Sequence, residues 1–218
     1  MDYADARKRM VDGQLRPNRV TDPRVLDAMR DLPREDFLPA AVQARAYADE
    51  DVPLPGGRTM VAPMAIARLA QFAAVRPGDR ALVVCAGTGY GAAVLGRCGA
   101  RVTAIEPNAG LVAIAGRALA ANLPAGAVRI EPGRPTEGFA GGAPYDVILI
   151  EGEIPEIPAA IAEQLAEGGR LVTVLGDGRH CGVAVLARRI GGAVSVAPAF
   201  DCATAALPEF QPAPGFVF

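Results

Sequence analysis

The chain has 218 residues, of which 51% are hydrophobic and 21% charged, so it can bury one large core with a small appendage but not a second full domain. Its net charge is -2 and its basic residues are scattered, which argues against nucleic acid as the main partner. The sequence shows no apolar run of about 18 residues and no signal-peptide pattern, so we expect a cytoplasmic protein without a membrane span. Its four cysteines are widely spaced without a CxxC pair, which indicates neither a disulfide framework nor a metal site.

The amino-terminal part of the chain differs from the rest. It carries much of the charge and several prolines, and Asp22-Pro23-Arg-Val-Leu-Asp-Ala-Met29 is typical of a short amphipathic helix with an aspartate cap and a proline in the first turn. These features predict a helical cap over residues 1–57, followed by a sheet-containing domain over residues 58–218.

The middle of the chain alternates strand-like and helix-like runs. Helical spacing at 64–72 and the turn Arg76-Pro-Gly-Asp79 lead into a first strand at residue 80. Further strands are predicted at 127–131, 145–150 and 170–175, with helices near 109–121 and 158–167. Alternation of this kind predicts an α/β fold with a parallel sheet.

The carboxyl-terminal part breaks this alternation. Val183-Ala-Val-Leu-Ala-Arg-Arg-Ile190 and Ala193-Val-Ser-Val-Ala-Pro-Ala-Phe200 are strand-like runs on either side of Gly191-Gly192. Two glycines between such runs favour a tight two-residue turn, so we expect an antiparallel hairpin that closes the sheet.

The most informative stretch is Arg80-Ala-Leu-Val-Val-Cys-Ala-Gly-Thr-Gly-Tyr-Gly-Ala-Ala-Val-Leu95, followed by Arg101-Val-Thr-Ala-Ile-Glu106. It predicts a strand, a glycine turn, a helix and a second strand that ends on an acid. Gly87 and Gly89 allow close approach of a ligand, and Glu106 can accept both hydroxyls of a ribose. We therefore expect a nucleoside-containing cofactor, although a βαβ unit with incidental glycines stays open as an alternative.

The glycine spacing argues against a dinucleotide. That motif places a third glycine inside the helix, where this chain has Ala92. The turn resembles that of S-adenosylmethionine-dependent enzymes instead.

Collinear motifs over nearly the whole length extend this likeness. They are Met10-Val-Asp-Gly-Gln14, Val25-Leu-Asp-Ala-Met29, Leu32-Pro-Arg-Glu-Asp-Phe37, Ala46-Tyr-Ala-Asp49, Gly57-Arg-Thr-Met-Val-Ala-Pro63, the glycine turn, Pro144-Tyr-Asp-Val-Ile148, Ile157-Pro158 and Gln164-Leu-Ala-Glu-Gly-Gly-Arg-Leu-Val172. In these motifs the chain resembles the protein-L-isoaspartate O-methyltransferase family.

The resemblance implies a Rossmann-like methyltransferase fold with a mostly parallel seven-stranded sheet, a carboxyl-terminal antiparallel hairpin and an amino-terminal helical cap. It also implies transfer of a methyl group from S-adenosylmethionine to the carboxylate of an isoaspartyl residue in a damaged protein or peptide. The cofactor-binding residues it implies are Cys85, Ala86, Gly87, Thr88, Gly89, Glu106 and Gly133.

Three positions depart from the family pattern. Val61 stands where the family has a serine, which leaves Thr59 as the nearby hydroxyl candidate for catalysis. Val83 replaces an acid in the first strand, and Pro132 in Glu131-Pro132-Gly133 replaces an aspartate. Two alternatives stay open: a methyltransferase redirected to another acceptor, and a non-catalytic homologue that binds the cofactor or serves as a scaffold.

A few further residues have functional and structural interpretations side by side. Glu151 and Glu153 follow a predicted strand and could contact acceptor or cofactor, or be solvated loop acids. Arg58 could attract a carboxylate substrate or lie on the surface of the cap, and we expect His180 in an exposed loop. The apolar tail over residues 207–218 is predicted to dock on the domain or to contact a partner.

Overall fold

The computed structural model describes residues 2–211 of the chain. The α-helices in this range are Tyr3–Met10 (α1), Pro23–Asp31 (α2), Pro63–Ala73 (α3), Tyr90–Arg97 (α4), Ala109–Asn122 (α5) and Ala159–Ala162 (α6). The strands are Val52–Pro53 (β1), Thr59–Met60 (β2), Arg80–Val84 (β3), Arg101–Ile105 (β4), Val128–Glu131 (β5), Tyr145–Ile154 (β6), Leu165–Leu175 (β7), Gly182–Ile190 (β8) and Ala193–Cys202 (β9).

Seven strands form one sheet in the order β5-β4-β3-β6-β7-β8-β9, while β1 and β2 form a separate antiparallel pair. Strands β3 to β7 are parallel, and β8 and β9 are antiparallel to their neighbours. This confirms the α/β fold with a mostly parallel sheet and a closing hairpin. The carboxyl ends of the parallel strands meet at one edge, which we call the carboxyl edge, and ligands of such sheets bind there.

The local turn and cap predictions are also confirmed. Gly191 and Gly192 have φ angles of 60° and 79°, which is the left-handed pair that a two-residue hairpin turn requires. Asp22 caps α2, because its side chain accepts a hydrogen bond from the Arg24 N–H at 2.9 Å.

The predicted helix over 158–167 is wrong in its second half. Helix α6 ends at Ala162, because Leu165 already pairs with Tyr145 in the sheet. A register shift in the pairing of β6 with β7 absorbs the residues between Leu165 and Arg170, and Gly168 there has a φ of 75°. Strand β6 runs to Ile154 rather than to residue 150, which carries Glu151 and Glu153 into the sheet.

The cap packs on one face of the sheet. Met10, Met29 and Phe37 are almost fully buried, in one hydrophobic cluster with Ala81 and Val83 of β3. The loops that lead from the cap into α3 therefore reach the carboxyl edge. The division of the chain at residue 57 into a cap and a sheet domain stays a prediction.

Candidate active site

The turn between β3 and α4 contains five of the residues predicted to bind the cofactor: Cys85, Ala86, Gly87, Thr88 and Gly89. Three of them have positive φ, with 58° at Cys85, 56° at Gly87 and 87° at Gly89. Glycine adopts this region without steric cost, whereas the Cβ of Cys85 costs on the order of 1 kcal/mol. The predicted tight turn is present, with a cysteine in a conformation that suits glycine. The role of these residues in binding stays a prediction.

Glu106 follows the last residue of β4 and is fully buried. Its Oε2 accepts a hydrogen bond from the Gly87 N–H at 2.8 Å, and its Oε1 accepts one from the Asn108 N–H at 3.0 Å. Burial raises the pKa of Glu106, while the charge of Arg58 and these two donors oppose the rise. The glycine turn and the predicted ribose-binding acid are therefore directly joined.

Arg58 contacts both the glycine turn and Glu106. Its side chain is 3% exposed, with Nη1 at 3.3 Å from Glu106 Oε2 and at 3.0 Å from Glu209 Oε1. Its Nη2 donates a hydrogen bond to the Cys85 carbonyl oxygen at 2.8 Å. The interpretation of Arg58 as a surface residue is wrong, because two carboxylates and a carbonyl compensate the burial of its charge.

The loop that carries Arg58 covers the glycine turn. A Cβ built on Gly87 would lie 3.6 Å from Leu54 Cδ1, so the Leu54 side chain is in contact range of the turn. Gly56 has a φ of 74°, and a Cβ there would lie 2.6 Å from Asn108 Nδ2. The absence of a side chain at Gly56 therefore allows the loop to pack against the residues that follow β4.

A second segment covers the carboxyl edge from the other side. We call Ala203–Gln211 the closing segment. Its Ala206 pairs with Glu153 as an isolated parallel bridge, and its Leu207 side chain is 4% exposed. A Cβ on Gly152 would lie 2.6 Å from Leu207 Cγ, so this glycine makes room for the segment. The predicted docking of the tail is confirmed as far as Phe210, and residues 212–218 lie outside the described range.

The glycine turn and Glu106 supply groups that suit a nucleoside, and in this structure Glu106 already has a charged partner within the chain. The carboxylate that would accept the ribose hydroxyls holds Arg58 instead, and its solvent exposure is 0%. Leu54 lies in contact range of Gly87, and Glu209 of the closing segment contacts the same arginine at 3.0 Å.

Thr59, the hydroxyl candidate for catalysis, faces Asp51. Its Oγ1 lies 3.5 Å from Asp51 Oδ2, an oxygen that also accepts hydrogen bonds from the Thr204 hydroxyl at 2.8 Å and the Ala205 N–H at 3.0 Å. Val61 and Val83, which replace polar family residues, are 1% and 0% exposed and belong to the hydrophobic core. Their packing role is therefore visible in the structure.

Gly133, the last predicted cofactor residue, lies in the loop after β5. A Cβ on it would lie 3.3 Å from Ile105 Cγ2, so the loop packs closely against the end of β4. Pro132 is exposed, and Glu131 pairs with Arg129 at 3.0 Å. The charge of Glu131, the residue before Pro132, is therefore directed to Arg129.

A second buried arginine and glutamate lie under the cap. Arg34 is fully buried and donates hydrogen bonds to the carbonyl oxygens of Ala46 and Val61, each at 2.7 Å. Burial raises the pKa of Glu151 to about 8, against the opposing charges of Arg34 and Arg58. Within residues 2–211, Arg34 Nη1, Glu151 Oε2 and the Tyr90 hydroxyl have no hydrogen-bond partner.

The interpretation of Glu151 and Glu153 as solvated loop acids is wrong. They are 6% and 2% exposed and lie in β6. His180 is exposed beside Asp177, as expected. Sequence reasoning missed the roles of Arg34 and Glu209, and the signal for Arg34 was its position between the apolar residues Leu32 and Phe37.

Two features are absent from the part of the chain that the structure describes. No helix in residues 2–211 has the length and hydropathy that a membrane span needs. The same residues hold no group of three or more His, Cys, Asp and Glu side chains arranged to bind a metal ion.

Comparison with known proteins adds evidence of kinship. The family described as protein-L-isoaspartate(D-aspartate) O-methyltransferase matches residues 6–206. A protein-L-isoaspartate O-methyltransferase of Koribacter versatilis is 43% identical over 175 residues, which cover 80% of this chain and 78% of that protein. One from Methylorubrum populi is 44% identical over 171 residues, covering 78% of this chain and 80% of the relative.

Solved structures support the fold. A protein-L-isoaspartate O-methyltransferase superposes with a TM-score of 0.79 at 24% identity, over 92% of this chain and 65% of that one. A beta-aspartate methyltransferase from Plasmodium falciparum, in complex with S-adenosyl-L-homocysteine, gives 0.78 at 20% identity over 93% and 98% of the two chains. Because the family match runs from residue 6 to residue 206 and the two relatives are 43% and 44% identical, the chain belongs to the protein-L-isoaspartate(D-aspartate) O-methyltransferase family.

Proposed function

We propose that the chain is an S-adenosylmethionine-dependent carboxyl O-methyltransferase that methylates isoaspartyl residues in proteins or peptides. The observation that carries this proposal is the 2.8 Å hydrogen bond that joins Gly87 of the glycine turn to Glu106 at the end of the neighbouring strand. Both residues lie within the family match over residues 6–206. The relatives at 43% and 44% identity bear the name of this activity.

Methyl transfer to a carboxylate does not need a strong general acid or base. S-adenosylmethionine supplies an activated methyl group, and an ionised carboxylate is already a nucleophile. The protein has mainly to exclude water and to align the acceptor. The low exposure of Thr88, Glu106 and Glu151 suits this task, and the exposed His180 is not needed as a base.

A methyl transfer assay with a tritium-labelled donor tests the proposal. The acceptors are an isoaspartyl peptide, the same peptide with a normal aspartate, and buffer alone. We expect label in the isoaspartyl peptide only, and loss of that label in Gly87→Val, whose branched side chain obstructs the turn. Label in neither peptide from a folded protein would contradict the proposal.

A redirected or non-catalytic protein is the second candidate. Val61 and Val83 support it, because these core residues have no polar atom to offer an acceptor. Adding cell extract as an acceptor in the same assay separates the possibilities. Label in extract but not in the isoaspartyl peptide indicates another acceptor, and label in neither indicates a binding or scaffold protein.

The proposed setting is the cytoplasm, with a protein or peptide acceptor and no nucleic acid. Cys85, Cys98 and Cys202 are buried free thiols, which suits a reducing compartment. The net charge of -2 offers no general attraction for phosphate groups. Selective labelling of isoaspartyl protein, in the presence of nucleic acid as competitor, is the expected result.

A further inference from the structure

Arg58 occupies the place that the proposed function reserves for a ribose. Glu106 is held from the protein side by the N–H groups of Gly87 and Asn108. The Arg58 guanidinium takes the remaining side, at 3.3 Å from Oε2 and 3.5 Å from Oε1. A positive side chain therefore satisfies the acid that two hydroxyl groups would otherwise satisfy.

The closing segment holds Arg58 in this position. Glu209 lies in a short turn after Leu207, and its Oε1 is 3.0 Å from Arg58 Nη1. The segment is fixed to β6 by two backbone hydrogen bonds, from Glu153 N–H to Ala205 O at 3.1 Å and from Leu207 N–H to Glu153 O at 2.8 Å. The arginine thus bridges a strand end at residue 106 and a segment about a hundred residues later in the sequence.

The bridge is incompletely satisfied. Within the described part of the chain, Arg58 Nε and Glu209 Oε2 are buried without a hydrogen-bond partner. Buried polar atoms in native proteins are nearly always paired, so these two atoms leave the contact short of its full stabilisation. Arg58 is 4% exposed overall, and its unpaired nitrogen lies within the same group of contacts.

We propose that Arg58 and Glu209 form a latch over Glu106, and that a nucleoside ligand enters the carboxyl edge only after the latch opens. This inference rests on the proposed function and adds that the chain itself limits the binding of its cofactor. The chain populates a closed state in which its own arginine competes with the ligand. The apparent affinity is then the intrinsic affinity of the open state multiplied by the fraction of molecules that are open.

Binding of S-adenosylhomocysteine to the full chain, measured by titration calorimetry, tests the latch. Glu209→Gln removes one of the two charges that hold Arg58, so we expect binding roughly tenfold tighter than in the parent. Arg58→Ala removes the competitor itself and should increase the affinity further. Glu106→Gln weakens the anchor and should lower the affinity in either background.

Glu167→Gln is the matched control. It removes the same charge from an exposed glutamate near the start of β7, at the opposite edge of the sheet, and should bind like the parent. Circular dichroism checks that each variant is folded. If Arg58→Ala does not fold, the comparison of Glu209→Gln with Glu167→Gln decides the matter.

The outcomes separate the latch from the function. Equal, tight binding by the parent and both latch variants overturns the latch and leaves the methyltransferase proposal intact. Absence of binding in folded Arg58→Ala and Glu209→Gln overturns both. Tighter binding without methyl transfer to any acceptor supports the latch and contradicts the catalytic function.

Discussion

The two halves of the carboxyl edge each bury an arginine near a glutamate, but the charges are satisfied differently. Beside β3 and β4, Glu106 has two backbone donors and Arg58 at 3.3 Å. Beside β6, Arg34 donates to two backbone carbonyl oxygens, and Glu151 keeps an unpaired carboxyl oxygen within the described residues. Burial is the largest influence on the pKa of both acids, but Glu106 has more donors that oppose it than Glu151 has.

Burial alone therefore does not determine the charge of a glutamate. Burial raises the pKa of both acids, but the value of about 8 belongs to Glu151. At neutral pH we therefore expect Glu151 to hold a proton, while at Glu106 three donors oppose the effect of burial on the pKa. Four variants test this difference between the two acids and their surroundings.

Glu106→Ala should have the largest effect on stability. It leaves the buried Arg58 with one carboxylate and removes the acceptor of the Gly87 and Asn108 N–H groups, so the free energy of unfolding should fall by about 3 kcal/mol. Urea denaturation measures this change in the free energy of unfolding. Glu131→Ala, which breaks the more exposed pair with Arg129, should cost less than about 1 kcal/mol. Equal losses would show that the Arg58 pair is screened by solvent.

Glu151→Gln should change how stability depends on pH. Below the ordinary pKa of 4.5, Glu151 is protonated in both folded and unfolded chains. Between 4.5 and about 8 only the unfolded chain ionises, so the parent loses stability as pH rises, by up to about 1.4 kcal/mol per pH unit. Above about pH 8 the folded chain ionises as well, so the stability no longer falls with pH.

The glutamine variant lacks this contribution. Its stability relative to the parent should therefore improve steadily from about pH 5 to about pH 7, as measured by urea denaturation at each pH. Parallel pH profiles for the two proteins would contradict a protonated Glu151 and would place its carboxylate in contact with a compensating charge.

Gly91→Ala should have an intermediate effect. A Cβ there would lie 2.9 Å from Glu151 Cδ and 3.1 Å from Ile66 Cδ1, so we expect a loss of about 1 to 3 kcal/mol from overpacking. Gly116→Ala is the control in an exposed helix position with no atom within 4 Å, and should stabilise the protein by up to about 1 kcal/mol. A neutral Gly91→Ala would show that Glu151 can move away.

The sequence predicted the parts of this site that depend on local patterns. The glycine turn, the acid at the end of β4 and the Gly191-Gly192 hairpin follow from residue type and short-range spacing. The predicted length of α6 was wrong. The helix is cut short by the pairing of Leu165 with Tyr145, which is a contact between residues distant in the sequence and is not visible in a local pattern.

Charge burial could not be predicted in the same way. Arg58 and Glu209 are 151 residues apart in the sequence, and each looks like an ordinary surface residue in its own segment. Only the folded chain brings them together over Glu106. Likewise, the loss of polar atoms at Val61 and Val83 is visible in the sequence, while their place in the core is not.

Thr59→Val should have the smallest effect of these variants, and it tests the hydroxyl two residues before Val61, the substituted serine position. Its 3.5 Å contact with Asp51 is long, and the Thr204 hydroxyl and the Ala205 N–H already satisfy the same oxygen. We expect stability to change by less than about 0.5 kcal/mol, whereas Thr204→Val, which removes a 2.8 Å bond, should cost about 1 kcal/mol. Methyl transfer to an isoaspartyl peptide should fall less than about threefold in Thr59→Val, because an ionised carboxylate needs no hydroxyl to activate it as a nucleophile. A loss on the order of a hundredfold in kcat/KM with unchanged stability would instead assign Thr59 to the reacting groups, in the role that the missing serine has left open.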